Sequence, residues 1–200
     1  LFHAGMMLKA GDADASPVPD AGSLTEPMLV ILGKRAVVLV PVKDSSAVST
    51  RQCQTAIDIS AMAVAHLSEL GEDVILLGIP GGSNPGVRVL RAKDIQGGEC
   101  PVGVTLSSAD AGATLGTAVT VYDHDGDGAP DIVASAPGVK KVYVFHKLSG
   151  TNPSVVMPPD SGAGEDFGST LAVGNFDDDT AQELIIGDPT ATVGGKVKAG

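Results

Sequence analysis

Val119-Thr120-Val121-Tyr122-Asp123-His124-Asp125-Gly126-Asp127-Gly128-Ala129-Pro130-Asp131-Ile132-Val133-Ala134-Ser135-Ala136-Pro137 is the stretch whose reading decides this chain. Two short runs rich in β-branched residues flank a loop of Asp and Gly, the signature of a strand, a turn and a returning strand. The loop carries carboxylates at its positions 1, 3, 5 and 9, namely Asp123, Asp125, Asp127 and Asp131. The same pattern returns 52 positions later without a gap, Leu171 standing where Val119 stood. Asn175-Phe176-Asp177-Asp178-Asp179 replaces the acidic loop's first half, and Glu183-Leu184-Ile185-Ile186-Gly187-Asp188-Pro189 replaces the returning strand and its closing proline. Upstream, Phe167-Gly168-Ser169 falls on Leu115-Gly116-Thr117. A fixed-period repeat of this kind overrides local readings of secondary structure.

A weaker copy lies 109 positions before the last one. Met62-Ala63-Val64-Ala65-His66-Leu67 enters and Val74-Ile75-Leu76-Leu77-Gly78-Ile79-Pro80 leaves. Its loop, 66–73, puts His66, Ser68 and Leu70 at positions 1, 3 and 5, and Leu70 cannot ligate. This hairpin is expected to hold its loop without metal. Local propensity over 60–70 favours a helix, with Ser60 as N-cap and Gly71 as stop. The repeat register requires a strand there, and strand is the reading adopted. A fourth trace is 28–33 followed by 34–42.

A third strand is legible after each closing turn, at 87–90 and 141–145, and a poorer fourth at 102–106 and 154–157. Four antiparallel strands in roughly 50 residues make a propeller blade. The expected fold is therefore all-β, a β-propeller with blades at about 28–57, 58–110, 111–162 and a partial 163–200. Three to four blades are fewer than a closed propeller needs, and the expectation is a fragment of a longer propeller or one completed by another chain. Residues 1–27, with Asp12, Asp14, Pro17, Pro19 and Asp20, read as a linker or irregular segment, within which Met6, Met7 and Leu8 could form a short strand.

The acidic loops carry the chemistry. Bare carboxylates packed this closely repel one another, and a hard cation removes that cost. Calcium takes six to eight oxygens, and alternate positions of a tight loop aim side chains at one centre. The first site is read as Asp123, Asp125, Asp127, the Ala129 carbonyl and Asp131, with Gly128 permitting the sharp turn. The second is read as Asn175, Asp177, Asp179, the Ala181 carbonyl and Glu183. There Thr180 stands in place of the turn glycine, where a β-branched residue resists positive φ. Magnesium prefers to keep its waters, so a carboxylate-rich cage favours calcium. Two Ca2+ sites are expected. An Asp/Gly-rich turn with no metal is the plain alternative.

These residues resemble the FG-GAP repeats of integrin α-subunit β-propellers and their bacterial relatives. Phe167-Gly168 matches the family's opening pair, Leu115-Gly116 keeps only its glycine, and 123–131 matches its D-x-D-x-D-G calcium loop. The closing triplet is seen as Gly78-Ile79-Pro80, Ser135-Ala136-Pro137 and Gly187-Asp188-Pro189. The resemblance implies a seven-bladed propeller with calcium in hairpin loops at one end. It also implies a secreted or cell-surface module that binds an extracellular protein or glycan through the opposite face.

Composition narrows the alternatives. The chain has 200 residues, a hydrophobic fraction of 43%, aromatics at 3% and no Trp, so Val, Leu, Ile and Ala must build its core. A formal net charge of −11 opposes binding to phosphate backbones, so no nucleic-acid partner is expected. No apolar run is long enough to span a bilayer, and the first residues lack the basic start of a signal peptide. Cys53 and Cys100 are either a disulfide or two free thiols. No nucleophile elbow, zinc-protease motif or phosphate loop is present. His124 reads as an outward, solvated loop residue, and His3, His66 and His146 are isolated in sequence. No catalytic residue is assigned and no enzyme activity is expected. The alternatives are a propeller lyase or hydrolase whose catalytic residues lie elsewhere, and a self-assembling structural module.

Overall fold

The computed structural model describes residues 3–8, 28–42, 50–101, 103–159, 163–177, 179 and 181–198. Among the described residues fourteen strands form and there is no α-helix. Four sheets follow one another along the chain, and each is a simple up-and-down meander. The first contains β1 (His3–Leu8), β2 (Met28–Leu32), β3 (Ala36–Pro41) and β4 (Arg51–Gln54). The second contains β5 (Ala61–Leu67), β6 (Glu72–Ile79), β7 (Gly86–Arg91) and β8 (Val104–Leu106). The third contains β9 (Val119–Tyr122), β10 (Asp131–Ala136), β11 (Lys141–Phe145) and β12 (Ser154–Val156). The last pairs β13 (Thr170–Gly174) with β14 (Glu183–Gly187).

The first strands of the sheets stand side by side, β1 against β5, β5 against β9 and β9 against β13. Four-stranded meanders sharing an inner row of first strands are the arrangement of an incomplete β-propeller. Over 61–67 the chain is a strand, as the repeat requires and against local helix propensity. β5 pairs with β6 through seven consecutive residue pairs, and that ladder fixes the segment. β1 lies within the segment read as irregular and pairs antiparallel with β2, so the first sheet opens at His3. Residues 9–27 lie outside the described residues.

Period-2 alternation explains the core. The apolar strand β6 is buried along Val74–Ile79 because both its faces meet other sheets. Ile75, Leu77 and Ile79 turn toward the first sheet's Met28, Val30, Val37 and Leu39. Val74 and Leu76 turn the other way, toward Ile132, Ala134, Tyr143 and Phe145 of the third sheet. The third sheet repeats the division, with Val133, Val142 and Val144 facing Phe167, Leu171, Val173, Leu184 and Ile186 of the last. Successive side chains of a strand point to opposite faces, so one uninterrupted apolar run fills two cores.

Glycine sets how closely neighbouring sheets approach. A Cβ on Gly78 would lie 2.1 Å from the Gly116 carbonyl oxygen, so only bare backbone fits between the second and third sheets here. The contact repeats one unit on, where a Cβ on Gly168 would meet the Ser135 Cβ at 3.0 Å. Gly116 N–H donates to the Ser135 carbonyl and Gly168 N–H to that of Gly187, both at 2.9 Å. The opening glycine of each unit therefore packs on the first residue of the closing triplet of the unit before it. Ser60 adds a tie of the same kind, its hydroxyl donating to the Gly116 carbonyl at 2.7 Å.

Cys53 of β4 and Cys100, in the segment leading to β8, form a disulfide. Gln54 flanks it on both sides, its N–H donating to the Gly98 carbonyl and its carbonyl accepting from Cys100 N–H, each at 2.8 Å.

An ion pair fastens the link from the second sheet to the third. Lys141 Nζ approaches Asp110 Oδ2 at 2.6 Å, and the Tyr143 hydroxyl donates to the same oxygen. The Lys141 ammonium first, and then the Tyr143 hydroxyl, hold the Asp110 carboxyl below its ordinary range. Lys141 is raised in return, chiefly by Asp110. A carboxyl lowered on folding contributes stability that is full above its unfolded pKa of about 3.9 and is lost as pH falls through its folded value. We expect Asp110→Asn to lower Tm at neutral pH and to match the wild type once both are acidified through that range. Tm measured against pH on both chains checks this; a constant difference down to the lowest pH would remove the charge from the explanation.

Candidate metal centre

The hairpins at the start of the third and fourth sheets place the acidic loops. β9 ends at Tyr122, opposite Asp131 at the start of β10, so the loop 123–130 closes between two paired residues. Inside it, carboxylates turn inward and take backbone N–H groups. Asp123 Oδ1 accepts from Gly126 at 2.7 Å and from Asp127 at 3.1 Å, and its Oδ2 accepts from Gly128 at 2.8 Å. Asp127 N–H also reaches Asp125 Oδ1 at 3.2 Å, and Ala129 N–H reaches Asp127 Oδ1 at 2.8 Å. Gly128 has φ +84, the conformation its place in the turn demands.

The loop between β13 and β14 repeats three of the first loop's bonds position by position. Phe176 N–H donates to Glu183 Oε2 at 2.7 Å, as His124 N–H donates to Asp131 Oδ2 at 2.8 Å. Asp179 N–H donates to Asp177 Oδ1 at 2.9 Å, and Ala181 N–H to Asp179 Oδ1 at 2.7 Å. Asn175, at position 1, turns its Nδ2 to the Asp179 carbonyl. Residues 178 and 180 lie outside the described residues, so the reading of Thr180 falls outside them too.

Three groups of side chains here hold potential ligand atoms within 4.8 Å of one another: Asp123, Asp125 and Asp127; Asp177, Asp179 and Glu183; and Asp125, Asp131 and His146. The first two are all-oxygen sets. Each carboxylate offers about four lone-pair directions, so the N–H bonds it accepts leave room for a cation. Hard oxygen donors of this kind suit a divalent ion such as calcium or magnesium. Of the residues read as ligands in the second loop, Asp177, Asp179 and Glu183 come together, and Ala129 and Ala181 lie next to the carboxylates that their own N–H groups bind.

The third group was not legible as a site. Asp131 is only 4% exposed, and it meets His146 and Asp125 rather than joining the first carboxylate group. His146 Nδ1 lies 3.0 Å from Asp131 Oδ1 and 3.6 Å from Asp125 Oδ2. The signal lay in strand register: Ile132 pairs with Phe145, which carries the next residue pair, Asp131 and His146, to the same end of the sheet. His124 is exposed, as expected, but its Nδ1 also meets the Tyr122 hydroxyl, and its ring lies edge-on to Tyr122. Burial, and then the Asp131 carboxylate, push the Tyr122 phenol above its ordinary value. In the second sheet the hairpin closes differently, with His66 Nδ1 paired to Asp73 Oδ1 at 2.8 Å. No metal-capable group of three forms at that turn among the described residues.

The chain is 29% identical over 164 residues to the phosphatidylinositol-glycan-specific phospholipase D of Bos taurus, covering 69% of this chain and 19% of that protein. It is 30% identical over 162 residues to the Homo sapiens protein of the same name, again 69% and 19%. The Rattus norvegicus protein gives 28% over 162 residues. The chain thus spans about a fifth of the length of these curated relatives. No protein-family model matches it.

Proposed function

We propose that this chain is a calcium-stabilised β-propeller module of the FG-GAP type, serving recognition of an extracellular protein or glycan rather than catalysis. The observation that carries the reading is the duplicated loop. Two successive sheets carry carboxylates at loop positions 3, 5 and 9, 52 residues apart, and hold them with matching backbone N–H bonds. Selection for a plain turn gives no reason to keep the acidic positions in register. Bound calcium would neutralise the clustered carboxylates and tie the two strands of each hairpin at one end. The chain's own contribution is to hold Asp123 and Asp127 inward by N–H bonds, so little ordering remains when a cation arrives. The Cys53–Cys100 disulfide supports an oxidising, extracellular setting. Extracellular calcium modules bind in roughly the 10⁻⁴–10⁻³ M range, the regime of a structural ion.

The likeness to the mammalian phospholipase D proteins favours a second reading, in which the module accompanies the catalytic part of a longer enzyme. On that reading, too, the acidic loops are structural and the chain alone turns nothing over.

Thermal unfolding of the chain in EDTA and in millimolar calcium tests the site. Stabilisation of about 2.7 kcal/mol is expected when free ion stands a hundredfold above the dissociation constant. Asp125→Ala and Asp177→Ala should each remove part of it, and the pair nearly all. An identical Tm with and without calcium would leave both loops as ordinary turns.

A further inference from the structure

The two acidic loops differ in one respect that their shared pattern hides. The group in the second loop is made of oxygen donors alone, whereas the first loop lies against an imidazole. We infer that Asp131, Asp125 and His146 form a mixed nitrogen–oxygen site that takes a borderline divalent cation, of which Zn2+ is the type, beside the hard-cation loop. The inference rests on the reading of that loop as a cation site only in sharing Asp125 and Asp131.

Donor spacing is the first argument. Zinc binds imidazole nitrogen and carboxylate oxygen at about 2.0–2.2 Å in tetrahedral geometry, which sets donor-to-donor separations near 3.4 Å. His146 Nδ1 lies 3.0 Å from Asp131 Oδ1 and 3.6 Å from Asp125 Oδ2, on either side of that value. All three ligand atoms lie within 4.8 Å of one another, so a shift on the order of 1 Å brings them round one ion.

The surroundings of the donors are the second. A ligating histidine is held by a partner on its other ring nitrogen. His146 Nε2 meets Ser154 Oγ of β12 at 2.8 Å, which fixes the ring with Nδ1 turned to the carboxylates. Asp131 is oriented too, its Oδ2 taken by His124 N–H while Oδ1 faces His146. With Asp131 buried and His146 largely covered, these donors lie on strand ends of the third sheet, a firmer mounting than the exposed tip of the loop. The fourth sheet has no such nitrogen: Lys198 stands 52 positions after His146.

The test is titration of the full, EDTA-stripped chain with Zn2+ alone by calorimetry, with imidazole resonances followed by NMR. One zinc per chain is expected at this site, with the His146 resonances shifting on binding. Ser154→Ala should weaken binding about tenfold, within the range for losing the partner that holds a ligating histidine, and His146→Gln, which removes the ligand itself, should weaken it more. His66→Gln, which removes the other His–Asp pair, should leave the affinity unchanged. Zinc binding that is absent from the wild type, or unchanged in His146→Gln, overturns the site. The calcium-dependent Tm of the wild-type chain decides the calcium reading separately: zinc held by His146 with no calcium shift would refute that reading and leave this one standing.

Discussion

Replacing Gly116 with alanine is expected to cost about 4 kcal/mol or more, a loss that only a few mechanisms produce in a single substitution. Two effects combine at this position. Gly116 has φ +93, a conformation L side chains rarely adopt, and its added Cβ would lie 2.5 Å from the Gly86 carbonyl oxygen and 2.9 Å from Ile79 N. Both neighbours are backbone of the second sheet, so no side chain can rotate away. Relief requires the second and third sheets to move apart, and that opens the core between Leu76, Val87, Ile132 and Phe145. A domain of this size has only about 5–15 kcal/mol in total, so the variant should unfold at much lower denaturant or fail to accumulate. Gly112→Ala is the control: its φ of +72 is also positive, but nothing lies within 4 Å of the added methyl. It should cost about 1–2 kcal/mol from backbone strain alone. Denaturant midpoints of the two variants make the comparison, and equal losses would show that the close approach of the sheets contributes nothing.

Removing the disulfide should have the next largest effect. Cys53 and Cys100 are 47 residues apart. The loop-entropy relation gives about 4 kcal/mol for closing a loop of that length in the unfolded chain. The Cys53→Ala/Cys100→Ala chain is therefore expected to melt roughly 8–16 °C lower, at 2–4 °C per kcal/mol for a domain of this size. The bridge joins the outer strand of the first sheet to the last connection of the second, and both half-cystines are buried beside Ile95 and Leu90. Calorimetry on the oxidised wild type and the double variant measures the difference. A shift of only a degree or two would mean that the Gln54 backbone bonds alone hold the first two sheets together.

The repeat made most of the fold legible. Apolar runs in register at 62, 119 and 171 placed the inner strands, and the register overrode the helical propensity of Ala61–Leu67, which pairs along its length with β6. The first sheet was harder to read, because β1 is separated from β2 by a long connection and carries no loop motif. The acidic loop positions were legible for the same reason as the strands. Position 9 of the first loop was assigned to one cage, but burial and strand pairing turn Asp131 toward His146 as well.

The sequence by itself determined the hairpin strands of the last three sheets, the period and the acidic positions, because alternation and spacing are local properties of the chain. Which cysteine state holds, and which residues meet between sheets, was decided only by the tertiary structure. Cys53 and Cys100, and Gly78 and Gly116, are brought together by sheets stacking around a common inner row. Those meetings depend on how two separately formed meanders approach, and the approach is set by glycine backbones and by the shape of the shared apolar cores.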